Sequence, residues 1–144
     1  MKDEDRKLLT EKLLGECWHE YGNIEYTRPD GYKLFVGGCL KCKLTNSEFE
    51  YDYDFRKNKY IPRHRTFTTP DDFFAVKGKL VEKGLWKQFY DYATWMFAAW
   101  VRLDNETKSN ADFIDWLINP ARFCELAVEF GKEVLGWKEN SLEK

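Results

Sequence analysis

Four side chains with metal-binding chemistry must meet if the first third of this chain is to fold around one ion. Cys17 and His19 stand in Gly15-Glu16-Cys17-Trp18-His19-Glu20, and Cys39 and Cys42 in Gly37-Gly38-Cys39-Leu40-Lys41-Cys42. Together they spell Cys-x-His, a spacer and Cys-x-x-Cys, a complete ligand set for one tetrahedral zinc. In Cys-x-x-Cys a tight turn points both thiolates at one metal, and Gly37 and Gly38 are expected to give the backbone the freedom for that turn. Cys17 and His19 are two apart, so on a strand they share a face while Trp18 points the other way, into apolar packing. Turn signals in the spacer allow a hairpin to bring the two pairs together. Four protein ligands leave no open position for a substrate, so such a zinc holds structure. The plainer alternative is two unrelated thiol pairs with His19 exposed. A redox Cys-x-x-Cys is disfavoured, because no strand-to-helix transition follows Cys42 to lower a thiol pKa.

The rest of the chain divides by pattern. Residues 3–14 read as a helix, with Leu8, Leu9, Leu13 and Leu14 near helical spacing and Gly15 as its stop. Residues 16–66 are broken by Gly22, Gly31, Gly37, Gly38 and Pro29-Asp30-Gly31. Short β-like runs lie between these turns, at 17–21, 32–36 and 48–55. The last alternates Glu48, Phe49, Glu50, Tyr51, Asp52, Tyr53, Asp54, Phe55, which predicts one aromatic and one acidic face. Thr69-Pro70-Asp71-Asp72 supplies a cap, a first-turn proline and two early acids for a helix that Gly84 can end. A second helix over 85–103 is apolar on most sides, so it is central to a core or covered by a partner. A polar loop at 104–109, a third helix capped by Ser109 or Asn110 and running to 118, and a fourth from Pro120 to about 135 follow, and the tail after Trp137 is expected to fray. This predicts one α+β domain over 1–144: a helix at 3–14, a small antiparallel zinc-stapled β-region at 16–66, and a helical half at 69–137, with four to five helices in all.

Composition excludes some functions. Net charge is −2, so the whole chain is not built to bind a polyanion. No apolar run reaches the roughly 18 residues that span a bilayer, and the charged start Met1-Lys2-Asp3-Glu4-Asp5 lacks a signal-peptide core. A cytoplasmic location follows as an expectation, and in that reducing setting four cysteines argue for thiols or metal over disulfides. Cys124, alone in a helical pattern, reads as a small buried hydrophobe. Aromatics reach 17% of the chain, which favours a packed core with some rings left for a surface.

One segment is locally basic. Arg56-Lys57-Asn58-Lys59-Tyr60-Ile61-Pro62-Arg63-His64-Arg65 holds five cations and no acid, and setting those five aside from the net of −2 leaves −7 on the remainder. Lys57, Lys59, Arg63, His64 and Arg65 are therefore candidate contacts for phosphates or an acidic protein surface, with Tyr60 available for stacking. The bland alternative is a solvated loop that neutralises the acidic strand before it. Glu48, Glu50, Asp52 and Asp54 read as the wet side of a sheet, since no turn gathers their oxygens around a cation. Asp112 and Asp115 read as the exposed stripe of a helix. No nucleophile, phosphate-loop or His-Glu-x-x-His motif is present, no catalytic residue is assigned, and binding is favoured over catalysis.

Several blocks of this sequence resemble a group of small bacteriophage proteins. They are Thr10-Glu11-Lys12-Leu13-Leu14-Gly15-Glu16-Cys17-Trp18-His19-Glu20, Cys39-Leu40-Lys41-Cys42, Arg65-Thr66-Phe67-Thr68-Thr69-Pro70-Asp71-Asp72 and Phe113-Ile114-Asp115-Trp116-Leu117-Ile118-Asn119-Pro120-Ala121-Arg122-Phe123. The Leu-Gly start and the Phe-Thr-Thr block with its following helix are also similar to the phage ABA-sandwich domain family. The resemblance implies a small sheet flanked by helices and a viral or prophage origin. It brings no catalytic assignment. Small phage proteins often act by binding host machinery or defence components, so a host or defence protein is the expected partner. A nucleic acid bound by the basic loop is the alternative, and a nucleotide or small molecule held among Trp and Tyr rings is the third.

Overall fold

The computed structural model describes residues 1–45, 47–104 and 110–138. The fold is α+β and, among the described residues, has five α-helices and two separate two-stranded antiparallel sheets. The chain forms two compact units, one made of Met1–Gly15 with Arg65–Lys144 and the other of Glu16–His64. Of the loop expected at 104–109, Asp104 instead ends a helix, and residues 105–109 lie outside the described residues, as does the expected tail beyond Lys138.

The first unit is helical. It begins with α1 (Asp3–Leu8), which widens into a π-helical turn over Leu9–Leu13. The leucine spacing explains the widening. Leu8 and Leu13, and Leu9 and Leu14, are five apart, which a wide turn closed by the Leu14 N–H on the Leu9 carbonyl at 3.0 Å can keep on one face. All four are buried. Helices α2 (Pro70–Glu82), α3 (Trp86–Asp104), α4 (Asn110–Leu117) and α5 (Pro120–Glu133) complete the unit. Gly15 and Gly84 sit at φ +68° and +71°, a conformation in which glycine carries no Cβ penalty, and they end the turns before them as expected. The long α3 contributes Phe89, Ala93 and Phe97 to the core at four-residue spacing, while Trp95 on the same helix stays exposed. Phe123 is fully buried and meets Phe73, Trp86 and Phe89 at ring-centroid distances of 4.4, 6.2 and 5.0 Å. Among the described residues, no helix is long and apolar enough to cross a membrane.

The start of α2 is built as the sequence implies. The Thr69 hydroxyl accepts from the Asp72 N–H, and the Asp72 carboxylate accepts from the Thr69 N–H, a reciprocal capping box. Asp72 also takes bonds from the Thr68 N–H and from Arg65, the latter at 3.3 Å, and Arg6 donates to the Arg65 carbonyl at 3.1 Å. Burial pushes the Asp72 carboxyl up, but Thr69 and Arg65 outweigh it and hold the group below the usual value of 3.8. A carboxyl whose folded pKa is lowered stabilises the fold above its unfolded pKa, and that contribution is lost as pH falls through the lowered value. Asp72→Asn is therefore expected to cost about 2 kcal/mol at pH 7 in urea unfolding and to flatten the loss of stability below about pH 4. An acid limb identical to wild type would contradict this.

The second unit holds two hairpins. Strand β1 (Tyr21–Thr27) pairs with β2 (Lys33–Cys39), Ile24 opposite Val36. Strand β3 (Tyr51–Asp54) pairs with β4 (Lys59–Pro62), Tyr53 opposite Tyr60 and Asp54 opposite Lys59. Two sequence expectations are corrected here. Residues 17–20 are not a strand: β1 begins at Tyr21, and at Glu20 the carbonyl takes the Leu40 N–H while the N–H goes to the Cys39 sulfur at 3.4 Å. Part of the basic stretch is β4 itself, with Asn58 at φ +51° supplying the turn that reverses the chain.

Candidate metal centre

The second half-site comes from the end of β2. Cys39 is its last residue and is fully buried; Cys42 lies three residues on, exposed, in the following turn. Lys41 N–H donates to the Cys39 sulfur at 3.4 Å, Lys43 N–H donates to the Cys39 carbonyl at 3.0 Å, and Lys43 takes the left-handed conformation at φ +66°. The positive φ that closes the turn is thus carried by Lys43. Gly37 and Gly38 do different work from the one expected of them, for both lie within β2. A Cβ at Gly38 would stand 2.5 Å from the Leu44 carbonyl oxygen, and one at Gly37 would run into the Tyr21 hydroxyl. The lack of a side chain at Gly38 lets the chain beyond the turn come back against the strand, where Cys39 N–H bonds the Leu44 carbonyl at 2.9 Å, and at Gly37 it makes room for the Tyr21 ring from β1.

The first half-site lies on the stretch just ahead of β1. Cys17 and His19 turn toward the Cys39–Cys42 turn, and Trp18 turns away, as the two-residue spacing implies. Its indole does not enter a core; it stacks on His64, with ring centroids 3.5 Å apart and planes 7° from parallel. The His19 ring stacks on Phe49 at 4.5 Å.

These elements bring Cys17, His19, Cys39 and Cys42 together, with no two of their donor atoms more than 4.8 Å apart. The Cys17 and Cys39 sulfurs are 3.7 Å apart, and the Cys42 sulfur is 3.5 Å from His19 Nδ1. A disulfide needs about 2.05 Å, so the cysteines are thiols. Donors on a tetrahedral zinc, at about 2.3 Å for sulfur and 2.05 Å for nitrogen, stand roughly 3.8 and 3.6 Å from one another. The two observed separations match those edges, and the four side chains are placed to hold a metal ion. The electrostatics also suit a cation. Burial pushes the Cys39 thiol up, but the N–H groups of Cys42, Glu20 and Lys41 and the His19 ring outweigh it and bring it to about 6. Burial, then hydrogen bonding to and repulsion from Cys39 and Cys42, push Cys17 up to about 12. Three thiolates this close do not all ionise without a positive centre among them, and a bound metal supplies one. Cys124 is not part of the group; it is fully buried in the helical unit, where burial pushes its thiol up to about 12.

The basic segment is mostly exposed, and three of its residues, Arg63, His64 and Arg65, are engaged by neighbouring groups. Arg63 donates from Nε and Nη2 to the Asp52 carboxylate at 3.0 and 2.7 Å and lies 3.7 Å from Glu50. Arg65 is held by Asp72, and His64 by Trp18 and the His19 carbonyl. The Asp54 carboxylate accepts from the Arg56 and Lys57 amides across the hairpin turn, and Glu48 accepts from the Thr45 N–H. The ammonium groups of Lys57 and Lys59 are exposed and make no ion pair among the described residues. Antiparallel pairing lays the acidic strand beside the basic one and cancels the charge of Arg63 against Asp52 and Glu50. The opposite face is aromatic, as the alternation of β3 predicts: Tyr60 meets Tyr21, Tyr51 and Tyr53 at 5.0, 4.9 and 5.0 Å. The pairing signal was present in the sequence as Asn58 between two β-prone runs of opposite charge.

No protein-family profile, curated protein or solved structure matches this chain.

Proposed function

We propose that this protein acts by binding, and that a structural zinc at Cys17, His19, Cys39 and Cys42 holds the Glu16–His64 unit in the shape that meets a partner protein. The observation that carries this reading is the make-up of that unit. Its only buried apolar side chains among the described residues are Ile24 and Cys39, while Phe55, Phe35 and Tyr32 are 85%, 73% and 63% exposed. A unit of this size with so small a core needs another source of folding free energy, and a four-ligand zinc supplies it. Zinc suits the ligand set because thiolate and imidazole donors in tetrahedral order are its common structural environment. Large exposed rings on two hairpins are the kind of group that anchors protein interfaces. The resemblance of several sequence blocks to small bacteriophage proteins points, as an expectation, to a bacterial host or defence protein as the partner, met in a reducing cytoplasm. Lys57 and Lys59, beside Phe55 and Tyr60 on the second hairpin, support single-stranded nucleic acid as the second reading.

Untagged protein should carry one equivalent of zinc by elemental analysis, and clearly less would remove the metal from this reading. The immobilised chain should retain a defined protein from bacterial lysate, and a Phe35→Ser, Phe55→Ser double variant, which touches no ligand, should lose it. Retention unaffected by the double change would count against the aromatic surface. Binding to DNA or RNA that falls steeply with salt would move the function to nucleic acid.

A further inference from the structure

We propose that His64, which supplies no ligand, is the positioning residue for the Cys17–His19 half-site, and that the metal affinity of the centre depends on it. The proposal rests on the zinc reading above.

Two of the four donors lie ahead of β1, which begins at Tyr21, and at Glu20 the chain is tied to the end of β2 by the Leu40 N–H on its carbonyl at 2.8 Å. Fixing each residue before that point costs about 1–2 kcal/mol of backbone entropy, and contacts made by the protein itself spare the metal's binding free energy part of that cost. His64 makes two such contacts. Its ring lies flat on Trp18 at 3.5 Å, and its Nε2 is 3.1 Å from the His19 carbonyl oxygen. A carbonyl only accepts, so Nε2 carries the hydrogen and donates it. The first contact fixes the residue between the two ligands, and the second fixes the backbone of a ligand. With Trp18 clamped on one side, the alternation of the chain sends Cys17 and His19 to the other. There the stack on Phe49 leaves His19 Nδ1 facing Cys42. His64 also comes 45 residues after His19, so the bond ties the end of this unit to its beginning. Groups that orient metal ligands from outside the coordination sphere typically contribute 10–100-fold in metal affinity.

Zinc affinity of the full chain is measured by competition with a chromophoric chelator, alongside the cobalt spectrum and the unfolding of metal-free protein. His64→Ala should weaken zinc binding 10–100-fold. His64→Phe keeps a flat ring without the donor, and His64→Gln keeps an N–H donor without the ring; each should fall between wild type and His64→Ala. The cobalt bands should keep the position of a three-thiolate, one-imidazole site in every variant, because the ligands are unchanged. Affinity within threefold of wild type for His64→Ala, in a chain that binds one zinc, overturns the proposal and leaves the zinc reading standing. A loss of stability of equal size with and without metal, at constant zinc affinity, assigns His64 a general structural role and also overturns it. Wild-type protein that takes up no stoichiometric metal removes the zinc reading and this proposal together.

Discussion

Cys39→Ser, or removal of the metal by a strong chelator, is expected to unfold residues 16–64 while the helical unit keeps its structure. Cys39 is the buried donor of the set, and its sulfur is met by the N–H groups of Glu20, Lys41 and Cys42. Serine offers a weaker ligand to zinc and leaves those three amides around a smaller, harder atom. The free energy at stake is large, since structural zinc contributes about 10–16 kcal/mol of apparent binding at pH 7 in small domains. The Glu16–His64 unit has little to set against that loss, with Ile24 as its one buried aliphatic side chain among the described residues. Its aromatic cluster around Tyr60 is at the surface, where each ring contact is worth only about 0.5–1.5 kcal/mol. Amide hydrogen exchange followed by mass spectrometry separates the units. Protection should vanish in peptides from 16–64 and persist in those from α2 and α5. Retained protection across β1 and β2 in the metal-free protein would show that the hairpins stand without the staple.

Phe123→Ala should do the reverse. The ring is fully buried in the helical core, against Phe73 of α2 and Trp86 and Phe89 at the start of α3. Truncation removes its burial and leaves a cavity walled by other large rings, which collapse poorly, so the cost is about 3–5 kcal/mol. For a domain near the usual 5–15 kcal/mol of total stability, that is a large fraction. Urea unfolding followed by near-ultraviolet dichroism would register it, and a loss below about 1 kcal/mol would contradict the packing described. Zinc stoichiometry should not change, because none of the four donors lies in the helical unit.

How far each element could be read in advance follows from how local its determinants are. Caps were legible: Thr69 with Pro70 and Asp72, and Asn119 with Pro120, act within one turn of their helices. The metal-binding group was legible as well, because Cys-x-His and Cys-x-x-Cys are spacings that let paired side chains reach one ion. The first helix was legible as a helix but not as a widened one, since the five-residue spacing of its leucines decides its pitch only once the core is there to receive them. Strand β4 was hidden by its charge. Lys59 and Arg63 look like a solvated loop until Asp54 and Asp52 are placed beside them. The two glycines before Cys39 were visible, but their purpose was not, because close approach by Leu44 and Tyr21 is a property of the folded chain.

By itself the sequence determined which atoms can bind a metal, where the helices start, and that a glycine-broken third is joined to an apolar helical remainder. Those properties belong to single residues and their near neighbours, where side-chain chemistry and backbone preference act without help. Only the tertiary structure decided that the four donors come within 4.8 Å of one another, that Arg63 of the basic segment is met by Asp52 and Glu50 before it, and that His64 rests on Trp18. Each of these joins residues 11 to 46 positions apart, and such contacts form only when the whole unit has closed, so no local pattern encodes them.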